Sequence, residues 1–173
     1  FFVAASIEDW DTVLMIPFKS CYALDLIQGD HMAKTTDYMI NALLTQGVSH
    51  VFIGLGRLND NFMPALSETK GLRTVVAAFE GGAAYMADGY SRASGGLGVC
   101  FGIGGPGVLN MTTALAAANT DRSSVLAISG EVARSWEGMG GFQDASIAGI
   151  DDIDILQRVT GLSISISSSA VVS

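Results

Sequence analysis

The chain has 173 residues, a length that suits one domain with a real buried core. Hydrophobic residues make up 49% of it and the mean hydropathy is +0.41, yet no run of about 18 uninterrupted apolar residues occurs, which argues against a membrane-spanning helix. Acidic residues outnumber basic ones by 17 to 9, for a net charge of −8, and the basic residues do not cluster as a nucleic-acid backbone would require.

Residues 1–31 read as a leader or an appended extension. They begin at Phe1 and lack the basic start and small-residue cleavage site of a signal peptide, and Gly29, Asp30 and His31 form a junction before Met32. The body spans residues 32–162. Thr35, Thr36 and Asp37 offer helix caps, Ile40, Leu43 and Leu44 recur at helical spacing, and Gly47 stops that helix. Val51, Phe52 and Ile53 make a short apolar strand, and residues 59–68 a second helix with Pro64 near its start. A second strand follows over residues 74–77. A small-residue helix opens at Glu80, with Ala83, Met86, Ala87 and Tyr90 on one face, and ends at Gly95 and Gly96. A third strand covers residues 98–101, a tight loop 102–107, an alanine-rich helix 108–118 and a fourth strand 124–129. Residues 133–150 read as a long glycine-rich loop, 151–158 as a helix and 162–166 as a last strand. The Ser/Ile/Val run of 163–173 is a tail unlike the rest.

Strands alternating with helices predict a three-layer α/β/α sandwich with a mainly parallel sheet. Ligands of such sheets sit beyond the carboxyl ends of the strands. The segments to examine are therefore 54–57, 79–82, 102–107 and 130–133.

Those segments carry a pattern. Gln46 to Phe52, the run from Phe79 and Glu80 through Asp88, Gly89, Tyr90 and Arg92 to Gly95, then Gly98-Val99-Cys100, Gly105-Pro106-Gly107 with Asn110, and Phe142-Gln143 together resemble the start of acetolactate-synthase-like thiamine-diphosphate (ThDP) enzymes. The resemblance implies the pyrimidine-binding domain of that family. It implies that Glu80 hydrogen-bonds a ring nitrogen of the cofactor's aminopyrimidine and shares a proton with it. It also assigns Gly105, Pro106, Gly107, Asn110 and Gln143 to the cofactor's surroundings. Burial at a strand end would raise the pKa of such a carboxyl and a helix N-terminus would oppose the rise. Three departures remove polar groups: Phe79 stands where the family usually has His, Gly81 where it often has Gln, and Gly104-Gly105 where it commonly has Ser or Thr. The family holds Mg2+ and diphosphate through a Gly-Asp-Gly start and a downstream Asn, and no Gly-Asp-Gly occurs here. The chain also stops before the family's last helix and closing strand. ThDP and Mg2+ are therefore expected to bind only with a separate diphosphate-binding subunit. A homodimer in the cytoplasm, taking a small-molecule ligand, is the expected form. Residues 12–17 resemble the strand-then-proline that closes the family domain, and are expected to pair with the sheet and cover an open edge.

Two rival chemistries share these residues. The spacing of Gly102, Gly104 and Gly107 fits a dinucleotide fingerprint with Glu131 as its acid, although Pro106 lacks an N–H for a phosphate. An ester hydrolase would draw its nucleophile from Cys100, Ser129 or Ser135, with Glu80 as base and the N–H groups of residues 104–107 for the oxyanion. No Gly-x-Ser-x-Gly elbow is present, and the histidines are only His31 and His50. Cys21 and Cys100 suit neither a disulfide framework nor a metal site.

Overall fold

The computed structural model describes residues 2–6, 35–56 and 62–166. Its strands are β1 (Phe2–Ser6), β2 (His50–Gly54), β3 (Arg73–Ala77), β4 (Gly98–Ile103), β5 (Val125–Gly130) and β6 (Leu162–Ser165). Its helices are α1 (Thr35–Thr45), α2 (Met63–Glu68), α3 (Glu80–Ser94), α4 (Pro106–Thr120) and α5 (Asp152–Gln157), with a 3-10 turn at Arg134–Trp136. The strands form one sheet in the order β3-β2-β4-β5-β1-β6. Strands β2 to β5 are parallel to their neighbours, and β1 runs antiparallel to both β5 and β6.

Side-chain alternation along the strands builds two cores. Val51, Ile53, Val99, Phe101, Leu126 and Ile128 pack with Ile40 and Leu43 of α1 and Leu66 of α2. Phe52, Cys100 and Ala127 face the other way, towards Ala83, Ala84 and Ala87 of α3 and Met111, Ala114 and Leu115 of α4. The expected three layers and mainly parallel sheet are present. The second face is lined by small residues, so its helices sit close. A Cβ at Gly98 would run into the backbone carbonyl of Ala87. The alanine faces of α3 and α4 are consumed inside this core.

Several boundaries differ from the sequence reading. The loop expected over 102–107 contracts to two residues. Gly102 and Ile103 stay in β4, paired with Ser129 and Gly130. Pro106 already opens α4, since its fixed φ and missing N–H suit a first helical position. Strand β6 carries the fold past residue 162 to Ser165. Residues 12–17, expected to pair with the sheet, lie outside the described residues. The leader segment that does pair is β1, and it is flanked on both sides instead of covering an edge. No helix among the described residues is long and apolar enough to cross a membrane.

Candidate functional site

Glu80 is the first residue of α3, entered from an extended Phe79 (φ −157, ψ 162). Its side chain runs across three glycines that come from three different elements. A Cβ at Gly54, the end of β2, would lie 2.6 Å from Glu80 Cγ; one at Gly102 of β4 would lie 3.7 Å from it; one at Gly107 of α4 would lie 3.3 Å from it and 3.4 Å from Oε1. The missing side chain at Gly54 makes room for Glu80 itself, whereas a Cβ at Gly102 would first meet Met111 Cε at 2.5 Å and one at Gly107 would first meet Ile103 Cγ1 at 2.6 Å, so those two glycines seat the neighbours that flank the carboxylate at the carboxyl end of the sheet. Asn110, one turn along α4 from Gly107, donates from Nδ2 to Glu80 Oε2 at 3.1 Å. The structure thus brings together Glu80, Gly107 and Asn110, which the sequence had grouped only by resemblance.

Gly105 has φ 69, a left-handed conformation that favours glycine, and its carbonyl accepts the first helical bond of α4 from Leu109. A Cβ there would meet the backbone of Phe142 and Gln143 at 3.5 Å. The Gly105–Pro106 turn and Gln143 therefore adjoin, as the grouping of cofactor residues requires.

Phe79 and Gly81, two of the departures from the family pattern, prove to be one local change. A Cβ at Gly81 would come 2.5 Å from Phe79 Cε2 and 2.7 Å from the Asn110 carbonyl. The phenyl ring lies where a side chain at position 81 would begin. It leaves an apolar surface, 55% exposed, beside Glu80.

The hydrolase residues are placed otherwise. Cys100 is fully buried between Phe52 and Ala127, and burial pushes its thiol up to about 12. A neutral thiol inside the core is no nucleophile. Ser129 is 1% exposed, and among the described residues its hydroxyl donates a long 3.4 Å bond to the next carbonyl. Ser135 is exposed on the 3-10 turn. His50 begins β2, at the opposite end of the sheet from Glu80, where it meets Ser49 and the ring of Tyr90. His31 lies outside the described residues, so no described histidine reaches any of these nucleophiles. Glu131, the acid of the dinucleotide reading, has both carboxylate oxygens buried away from solvent.

Two groups escaped sequence reasoning. Asp152, the first residue of α5, is fully buried and accepts the Gly105 N–H at 2.7 Å. Asp88 on α3 is gripped by Arg92 through two 2.9 Å bonds, and Arg92 reaches Asp121 at 2.8 Å, tying α3 to the end of α4. A carboxylate four residues before an arginine on a helix signals the first contact; nothing in the spacing signals the link between Asp152 and Gly105.

The fold and this cradle define an α/β domain that presents a carboxylate beyond its strand ends. Residues 33–152 match the family model described as the thiamine pyrophosphate enzyme, N-terminal TPP binding domain. Relatives include a sulfoacetaldehyde acetyltransferase of Alcaligenes xylosoxydans xylosoxydans, 36% identical over 123 residues, which are 70% of this chain and 20% of that protein. A chloroplastic acetolactate synthase of Arabidopsis thaliana is 36% identical over 118 residues, covering 68% of this chain and 18% of that protein. Among solved structures, the thiamine diphosphate-dependent 4-hydroxybenzoylformate decarboxylase of Rhodococcus jostii RHA1 shares the fold, with a TM-score of 0.65 at 23% identity over 73% of this chain and 23% of that one. The chain belongs to the thiamine pyrophosphate enzyme family, in its N-terminal domain. It spans 20% or less of the length of the two curated relatives named here.

Proposed function

We propose that this chain is the pyrimidine-binding portion of a ThDP-dependent carboligase or decarboxylase, with Glu80 as the carboxyl that addresses the aminopyrimidine. The supporting observation is the passage of the Glu80 side chain over Gly54, Gly102 and Gly107, with Asn110 fixing one oxygen. That cradle fits the flat, uncharged end of the cofactor. When bound, the cofactor would supply nucleophilic carbon chemistry towards carbonyl substrates. The work of this chain is narrower: to hold and exchange one proton at Glu80 Oε1 or Oε2, and to keep the ring oriented through the turn at 104–107.

The diphosphate and its Mg2+ need an anchor of a different kind. Among the described residues no group of three or more His, Cys, Asp or Glu side chains is placed to hold a metal ion. We assign that anchor to further sequence or to a separate subunit. Phe79, Tyr85, Leu109 and Phe142 are 55%, 49%, 43% and 80% exposed beside or near α3 and α4, an apolar margin suited to being covered by that part or by a second copy. A homodimer is the form we favour, and unpaired Cys100 suits a reducing cytoplasm.

The test uses the chain as it is. An aminopyrimidine fragment, 4-amino-5-hydroxymethyl-2-methylpyrimidine, titrated at millimolar concentration should shift the amide resonances of Gly54, Glu80, Gly102 and Gly107. Glu80→Ala should abolish those shifts. ThDP with Mg2+ should show no micromolar affinity for this chain in calorimetry. Fragment shifts that ignore position 80, or that map to another face, would remove the proposal's basis.

A further inference from the structure

Glu131 and Asp152 leave three carboxylate oxygens, Glu131 Oε1 and Oε2 and Asp152 Oδ1, buried without a hydrogen-bond partner. Buried carboxylates are ordinarily paired with a cation or kept neutral. The described residues that act on them electrostatically are acidic, Asp152 and Asp144 on Glu131 and Asp151 on Asp152, while the amino-terminal charge of the chain opposes the rise at Glu131 without cancelling it. The Ala145 amide approaches Glu131 without closing a hydrogen bond.

Both side chains adjoin one turn. A Cβ at Gly104 would come 2.5 Å from Glu131 Oε1. The next residue, Gly105, donates its N–H to Asp152 Oδ2 at 2.7 Å. Gly104 itself donates to the Gly130 carbonyl at 2.8 Å, which ties the turn to the strand end that carries Glu131. The turn that joins β4 to α4 is thus bracketed by two carboxylates.

We propose that Glu131 and Asp152 form a buried acid dyad that shares one proton and, through the Asp152–Gly105 hydrogen bond, acts as a positioning device for the turn that opens helix α4. One neutral and one charged carboxyl can coexist in this site; two charges repel, and the turn between them is the element free to give. Burial, reinforced by the neighbouring acids, pushes Glu131 up to about 7 and Asp152 up to about 6. Both values lie above the ordinary carboxylate range near 4. The folded state therefore binds this proton more tightly than the unfolded state does. The dyad's penalty is absent below about pH 4, grows between about pH 4 and 7, and is full above that.

The test compares the chain with Glu131→Gln, which keeps the shape and removes the charge. The melting temperature of Glu131→Gln relative to the unaltered chain should rise from pH 5 to pH 8, by about 3 °C or more. Subtraction cancels the titrating groups that do not interact with position 131 and leaves the titration of the pair. Asp152→Ala should speed amide exchange at Gly105, and Asp152→Asn, whose carbonyl still accepts, should restore protection. A difference between Glu131→Gln and the parent that does not change with pH would overturn the proposal. So would potassium or calcium raising the parent's melting temperature at pH 8 while leaving Glu131→Gln unmoved, because a cation and not a proton would then neutralise the pair.

Discussion

Three glycines line Glu80, Gly54 held by the glutamate itself and Gly102 and Gly107 by Met111 and Ile103 beside it, and that makes the site brittle to small changes. Gly54→Ala places a methyl group 2.6 Å from Glu80 Cγ. The backbone of β2 is locked in the sheet, so the flexible glutamate must rotate away and release Asn110. We expect a stability cost of about 1 kcal/mol or more, because Glu80 Cγ can rotate away but its backbone Cα, 3.1 Å from the new methyl group, must also give. We also expect loss of the fragment shifts; retention of full binding by Gly54→Ala would show that Glu80's observed rotamer does not matter. At this scale the sequence was partly legible. Glu80, Gly107 and Asn110 were marked by motif, and the motif survives because backbone geometry needs it. Cys100 and Ser129 were nominated on chemistry, and their burial is a property of neighbours distant in sequence. Glu131 and Asp152 are 21 positions apart (152 − 131) on separate elements, with no periodicity to connect them.

Helix α3 lies on β4 at a distance that only glycine allows. A Cβ at Gly98 would strike Ala87, and the atom it meets is backbone, in the middle of a helix that cannot yield locally. Gly98→Ala must lift α3, loosen the Ala83, Ala84 and Ala87 contacts with the sheet, and shift Glu80 at the same helix's start. Such overpacking costs about 1–3 kcal/mol, read as a lower urea midpoint with an unchanged slope. An equal midpoint would mean that α3 has slack the packing does not show. The alternation of strands and helices was legible because apolar runs and caps are local signals. The boundary at 102–107 was not. Its glycines read as a loop, yet Gly102 and Ile103 keep their ladder partners and are buried, and glycine there serves the passage of Glu80 and Met111 instead of a turn.

The whole sheet depends on a strand that sequence reasoning placed elsewhere. Phe2–Ser6 fills a slot between β5 and β6, pairing over five positions with the first and four with the second. Without it, two strand edges would face water with unpaired N–H and C=O groups, a template for association between chains. Residues 12–17 carry the apolar strand-then-proline pattern that suggested the same duty. The two segments make separable predictions. If the slot accepts only Phe2–Ser6, removing residues 1–6 and removing residues 1–31 should destabilise the chain equally and promote association at raised concentration. If residues 12–17 serve as a substitute strand, the shorter deletion should melt near the parent and the longer one well below it. For a chain of this size each kcal/mol lost lowers the melting temperature by about 2–4 °C, so the loss of pairing to two neighbours is readily measured. Equal stability of all three chains, with no change in mass by light scattering, would show that β5 and β6 hold together without any strand between them and that the antiparallel insertion adds nothing to the fold.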